Sequence, residues 1–299
     1  MRVTQNMLDR CVIFSMEQNL ERLAKLTEQL STGRKVNTAS DDMAATGRIL
    51  QLQGENGRLS TYLDNITSAE NTLNTATDAL QQASEIITSI KELGIQAATG
   101  TYSDADREAM AEGVDGLLRS LITLVNTKAN GAYLFSGEAT DTSSYALTTD
   151  ASGNVLAVTY QGAVVSTEVS LGASTNLEVN LVGKTMFEGE GDLFETVIRL
   201  RDAIRDNDLD EINSVRGDLD TCHDDVRLSL GRLGERLDQM DALRTVFERF
   251  KERNDQLISD NQDADIGEVT VEYNSQMALL LMTMKVAAQL VKPSLLNFT

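Results

Sequence analysis

Residues 59–98, LSTYLDNITSAENTLNTATDALQQASEIITSIKELGIQAA, decide the fold. Ile66, Leu73, Leu80 and Ile87 recur every seven residues, and Ala69, Ala76, Ala83 and Ile90 recur three places behind them. This is the pattern of a helix that buries one seam against partner helices. At about 1.5 Å per residue such a helix is roughly 60 Å long. Downstream, Ser103 followed by Asp106 reads as a capping box that opens a second, antiparallel helix. Met110, Val114, Leu117, Leu121 and Leu124 carry its seam toward Gly131.

Working outward, Ile13, Met16, Leu20, Leu23, Leu26 and Leu30 step by three or four and lay one apolar stripe along a helix before this segment. Ser31, Thr32 and Gly33 interrupt it, and residues 37–42 are polar and turn-prone, which predicts a hinge ahead of the apolar patch at 43–52. From 136 to 190 the period changes to two. Val155, Ala157 and Thr159 alternate with Leu156, Val158 and Tyr160, and Val164, Val169, Leu171, Leu177, Val179 and Leu181 belong to similar runs. Gly153-Asn154 and Gln161-Gly162 read as hairpin turns. Helical spacing returns at Leu193, Val197, Leu200 and Ile204, then at Ile212, Val215, Leu219, Cys222 and Val226, and runs on to Leu233, Met240, Phe247, Phe250 and Leu257. After an acidic break at 261–267, Met277, Leu280, Met284, Ala287, Val291, Leu295 and Phe298 form a last stripe with Leu281 beside it.

The expected fold is mainly α with a β insert: an elongated antiparallel helical rod with paired terminal helices and a small antiparallel β domain. Its segments are an N-terminal helix (1–36), the first half of the rod (37–135), the insert (136–190), the second half (191–262) and a C-terminal helix (263–299).

Composition agrees with long helices. One proline in 299 residues leaves them uninterrupted, and the absence of tryptophan with 4% aromatic content suits slender packing. Lys+Arg 26 against Asp+Glu 46 gives a net charge of −20, which repels nucleic-acid phosphates and anionic lipid. Residues 1–20 lack the apolar run of a secretory signal, and 277–291 falls short of the roughly 20 apolar residues a membrane span needs. No membrane or nucleic-acid partner is expected.

Chemical motifs are scarce. Cys11 and Cys222 are too few for a disulfide framework. In Cys222-His223-Asp224-Asp225, Cys222 falls on the apolar seam and His223 off it, which predicts a buried cysteine beside a solvated histidine rather than a metal site. Asp263-Ala264-Asp265-Ile266-Gly267 has the flavour of a calcium loop, but the glycine is one place early and Asn274 stands where glutamate is needed. With a single histidine and no glycine-rich phosphate loop, neither catalytic residues nor a cofactor site is expected.

Residues 30–37 (LSTGRKVN) with 39–42 (ASDD), 91–98 (KELGIQAA), 100–107 (GTYSDADR) and 263–266 (DADI) resemble the flagellin family. Residues 1–4 (MRVT), 131–137 (GAYLFSG) and 294–298 (SLLNF) are more similar to the hook–filament junction branch of that family than to filament flagellins. The resemblance implies a non-enzymatic structural subunit of the bacterial flagellum, outside the cell, exported unfolded and without signal cleavage. It implies self-association in a ring and, as partners, another junction protein, flagellin and an export chaperone. On this view Ile13, Met16, Leu20, Leu23, Leu30, Met277, Leu280, Leu281, Met284, Val291, Leu295 and Phe298 are the assembly seams. A minor filament flagellin is the alternative. A cytoplasmic signalling coiled coil would share the alanine-rich heptads but not the β insert.

Overall fold

The computed structural model describes residues 5–99, 101–151, 153–165, 168–170, 176–178 and 181–296. Its helices are α1 (Gln5–Thr32), α2 (Met43–Ala97), α3 (Asp104–Val125), α4 (Gly183–Phe187), α5 (Leu193–Asp206), α6 (Leu209–Gln262) and α7 (Ile266–Leu296). Among the described residues between α3 and α4 lie six short strands: β1 (Lys128–Ala129), β2 (Ala132–Tyr133), β3 (Tyr145–Thr149), β4 (Val155–Tyr160), β5 (Glu168–Ser170) and β6 (Asn176–Glu178). The fold is therefore mainly α with a β insert. The chain forms two compact units, one from residues 60–248 and one from the segments before and after it.

In the unit of residues 60–248, the heptad seam of α2 is fully closed: Ile66, Leu73, Ala76, Leu80, Ile87 and Ile90 have no exposed surface. They join one core with Val114 and Leu118 of α3, Val197 and Leu200 of α5, and Ile212, Leu219 and Met240 of α6. α2 and α6 run antiparallel here. Lys91 pairs with Asp220, Ser84 with His223 and Arg244 with Glu70, while the Tyr62 and Phe247 rings lie 5.7 Å apart.

Asparagine and aspartate side chains mark where these helices start and stop. Ser103 and Asp106 make the expected capping box on α3. Asp192 accepts from the amides of Phe194 and Glu195 to open α5, and Asn207, in the left-handed region at φ 57°, closes it. The α3 seam departs from the expected one. Ala111, Leu118, Ile122 and Val125 are buried, whereas Met110 and Leu117 are half-buried, so the helix is rotated toward α5, against which it packs. It also ends at Val125 rather than near Gly131. Asn130 and Gly131, both at positive φ, are instead the two-residue turn that joins β1 to β2.

The described residues of the insert form three separate antiparallel ladders, β1–β2, β3–β4 and β5–β6. Gly153, at φ 91°, lies in the β3–β4 turn as expected. Gln161-Gly162 is not a hairpin turn, because β4 pairs with β3 and the next strand pairs with β6. Gly162 is needed for another reason: a side chain there would collide with the Tyr160 hydroxyl. Val164 is exposed outside any strand, and Leu171 and Val179 lie outside the described residues. Aromatic rings, scarce elsewhere, gather here: Tyr145 stands 4.6 Å from Phe194 and 5.2 Å from Tyr160, and Phe135 stands 5.5 Å from Phe187. A buried charge network ties the β3–β4 hairpin to the helices. Asp115 of α3 accepts from the Val155 amide at 3.1 Å, from Arg201 at 2.8 Å and from Arg119 at 2.9 Å, and Arg201 also donates to the Val155 carbonyl at 2.5 Å.

His223 is half-buried rather than solvated, because Ser84 of α2 reaches it at 2.8 Å, while Cys222 is buried as expected. Burial first, then Lys91 and Arg227, lower the His223 pKa.

Candidate assembly surface

The other unit holds α1, α7, the first turns of α2 and the last turns of α6. α2 begins at Met43, well ahead of the strong heptad, because Asp42 caps it by accepting from Ala44 and Ala45 at 2.9 Å. Ala45 and Ile49 of its first turns bury a small core with Val36, against which Ile258 of α6 packs. No helix among the described residues is long and apolar enough to cross a membrane.

The two connections of this unit are strapped together by their backbones. Gly33 leaves α1 at φ 72°, and its carbonyl accepts from the Ala264 amide at 2.9 Å. The Gln262 carbonyl accepts from the Lys35 amide at 2.7 Å, and Arg34 bridges to Asp263. Asp41 is the hub of the first connection. It accepts from the amides of Asn37 and Thr38 and pairs with Lys25 of α1 at 2.9 Å, and Lys25 first, with those amides, holds its carboxyl well below the usual range. Asp265 caps α7 by accepting from Gly267 at 2.8 Å and Glu268 at 3.2 Å, which is the work its side chain does in the DADI segment.

α1 and α7 pack against each other. Asn19 sits at their contact, donating to Thr283 at 3.3 Å and accepting from Gln276 at 2.9 Å. Of the seam residues, Leu280 is buried, and Met16, Leu23, Leu30 and Met277 are half-buried. Ile13 is 57% exposed, Leu281 55% exposed, and Leu20 and Met284 are exposed as well. The stripes are therefore split: one edge of each meets the other helix and the remainder faces outward. Val291 and Leu295 lie in α7 but their side chains are outside what the structure describes, as are Phe298 and residues 1–4 altogether.

Sequence periodicity passed over Phe14, Leu279, Met282 and Val286, all exposed. They lie one or two positions off the stripes, and the signal that marks them is the unbroken apolar run AlaLeuLeuLeuMet at 278–282, which is too greasy for a helix with one buried face. Exposed Cys11 joins Val12, Ser15, Leu279, Met282, Thr283 and Val286 around a shallow cavity of about 360 Å³ between α1 and α7. Exposed apolar side chains gathered in this way make this face a candidate interaction surface.

The family model for the bacterial flagellin N-terminal helical region matches residues 3–140. Residues 3–140 are thus a flagellin N-terminal helical region. It is 26% identical over 282 residues to flagellar hook-associated protein 3 of Escherichia coli K12, which covers 86% of this chain and 86% of that one. A solved chain described as a flagellar hook-associated protein from Vibrio parahaemolyticus has the same fold, with a TM-score of 0.68 at 22% identity over 75% of this chain and 100% of that one. So does the flagellar junction protein FlgL from Legionella pneumophila, with a TM-score of 0.61 at 15% identity over 72% and 100%. Similarity to the flagellar filament 41 kDa core protein of Borreliella burgdorferi, 34% identical, extends over 33% of this chain and 30% of that one.

Proposed function

We propose that this chain is a structural subunit of the bacterial flagellum that forms the junction between hook and filament and offers the surface on which flagellin polymerises. The observation that carries this reading is the breadth of the likeness to hook-associated protein 3, which covers 86% of the chain and so spans the β insert as well as both helical arms, whereas the filament proteins it resembles match over 33% to 42% of it. The outward edges of α1 and α7 supply the physical means: exposed apolar stripes on two packed helices are buried when copies and neighbours assemble. On this reading residues 1–36 and 263–299 are the assembly helices. Self-association in a ring, contact with another junction protein and with flagellin, escort by an export chaperone, and a place outside the cell reached without signal cleavage belong to the same proposal, as does the absence of catalysis.

Deleting the gene tests it. Cells without the chain are expected to build hooks and shed flagellin monomers into the medium, because the filament has no matched surface on which to start. Normal filaments in the deletion strain overturn the junction role. A filament role is separated by polymerisation of the purified chain alone, which the junction reading does not expect.

A further inference from the structure

Two surface features of the unit of residues 60–248 take no part in the role just described. The first is a cavity of about 270 Å³ between the β5–β6 hairpin, α4 and α6. Leu181 and Leu233 form its buried floor, Val164 is exposed at its rim, and Arg232 and Arg236 line it from successive turns of α6. Arg236 is held by Glu178 at 3.0 Å. Arg232 is exposed, and among the described residues no ion pair or hydrogen bond holds it. An apolar hole edged by an uncompensated cation is unusual on a chain whose net charge is −20.

The second feature is the corner where α5 turns into α6. Asn207, left-handed at φ 57°, swings the chain outward there. Leu209 at the tip is 38% exposed and stands among Asp206, Asp208 and Asp210, all exposed. Asp208 caps α6 by accepting from the Glu211 amide at 3.0 Å. Asp206 and Asp210 have no ion pair among the described residues.

We propose that the cavity receives this corner of a second copy, with Leu209 set on the Leu181–Leu233 floor and the carboxylates of Asp206 and Asp210 against Arg232. The two features complement each other in shape and in sign: an aliphatic knob ringed by anions and an aliphatic hole edged by a cation. An apolar anchor in a pocket beside an arginine gives the contact its strength, and the opposed charges give it register and partner choice. Knob and hole are different patches. They lie about 24 residues apart on α6, roughly 36 Å at helical rise. The contact is therefore heterologous, leaves each copy with a free knob or hole, and propagates into a ring or a tube rather than stopping at a dimer. This inference rests on the reading of a self-associating subunit and names one surface for it.

The test uses the full chain with Cys11→Ser, which removes the exposed thiol and leaves only buried Cys222. One preparation carries Leu209→Cys and another Val164→Cys; the two are mixed under mild oxidation. Mixed disulfide dimers are expected at about ten times or more the yield of a control mixture of Leu228→Cys with Val164→Cys, and to fade with salt. Arg232→Glu in the Val164→Cys copy is expected to abolish them, and Asp206→Arg with Asp210→Arg in the other copy to restore them. With both cysteines on one chain, a ladder beyond the dimer is expected. A mixed yield no higher than the control overturns the contact. If the deletion strain still depends on the chain for filament growth, that result rejects this surface alone and leaves the junction role standing. Normal filaments without the chain reject the role itself.

Discussion

Asp115 is where two helices and a hairpin meet, and its surroundings show what one buried charge does for the β insert. Burial works against its carboxylate, but the Val155 amide, Arg201 and Arg119 more than compensate and hold its pKa below the ordinary value. Arg201 is almost fully enclosed, so Arg201→Met leaves Asp115 charged, buried and short of a partner. We expect a loss of about 3–5 kcal/mol in denaturant unfolding, the usual consequence of breaking a buried pair from one side. His223 sets a different dependence. Its folded pKa lies below the ordinary 6.5, so as pH falls through 6.5 the unfolded chain takes up the proton first and stability is lost. Glu188 acts with the opposite sign: burial and then Asp192 raise its folded pKa above 4.5, so the folded chain gains its proton first and stability is gained on acidification. His223→Gln removes only the first effect. Its melting temperature is expected to fall less than the wild type's between pH 7.5 and 5.5, and an equal fall in both refutes a titrating His223.

Helices were legible in the sequence to the extent that one seam per helix was buried inside the chain. The heptads of α2 and the opening of α6 satisfy that condition, and so Ile66 to Ile90 and Ile212 to Val226 fall where spacing put them. Spacing failed where a helix touches more than one neighbour, as on α3, whose buried face widens to include Leu118, Ile122 and Val125. It failed again at Phe250 and Leu257, which continue the α6 seam in sequence but stay exposed in the folded chain. Hairpins were half legible, since Gly153 announced its turn through glycine's freedom at positive φ whereas Gly162 is required by a neighbouring hydroxyl that no local pattern reveals. The capping residues Asp42, Asp192 and Asp265 were visible as letters and acquired roles only once the amides they hold were located. The terminal stripes were legible as stripes, while the division between their packed and outward edges follows from how α1 lies on α7, a contact at which Gln276 bonds Asn19. That contact is thin: among the described residues α1 buries one apolar side chain, Leu26, and α7 buries Val269 and Leu280. Dilute protease is therefore expected to cut within α1 and α7 of the monomer before it cuts α2 or α3, as mass spectrometry of the fragments would show. Equal resistance along all four helices would mean that the terminal pair is as stable as the main core.

For the molecule as a whole, the division between what folds the chain and what joins it to others can be put to a single comparison. Ala76 lies in the middle of the α2 seam with no exposed surface, so Ala76→Leu adds three carbons where the core has no room. Overpacking of this kind costs about 1–3 kcal/mol, and the melting temperature is expected to fall accordingly. Leu281 is 55% exposed on the outward edge of α7, and its replacement by aspartate removes little from the packed monomer. The melting temperature of Leu281→Asp is expected to stay close to that of the wild type. In the assembled structure the same aspartate would place a carboxylate among apolar side chains from neighbouring subunits, where an unpaired charge is strongly disfavoured. The first variant should therefore be less stable yet still join when it is folded, and the second should be stable and fail to join. Thermal denaturation of both purified proteins reads the first property, and swimming of the deletion strain carrying each variant reads the second. A Leu281→Asp protein that melts far below the wild type would place Leu281 in the fold rather than in the interface. One that restores full swimming would show that the outward edge of α7 is not where the subunits meet.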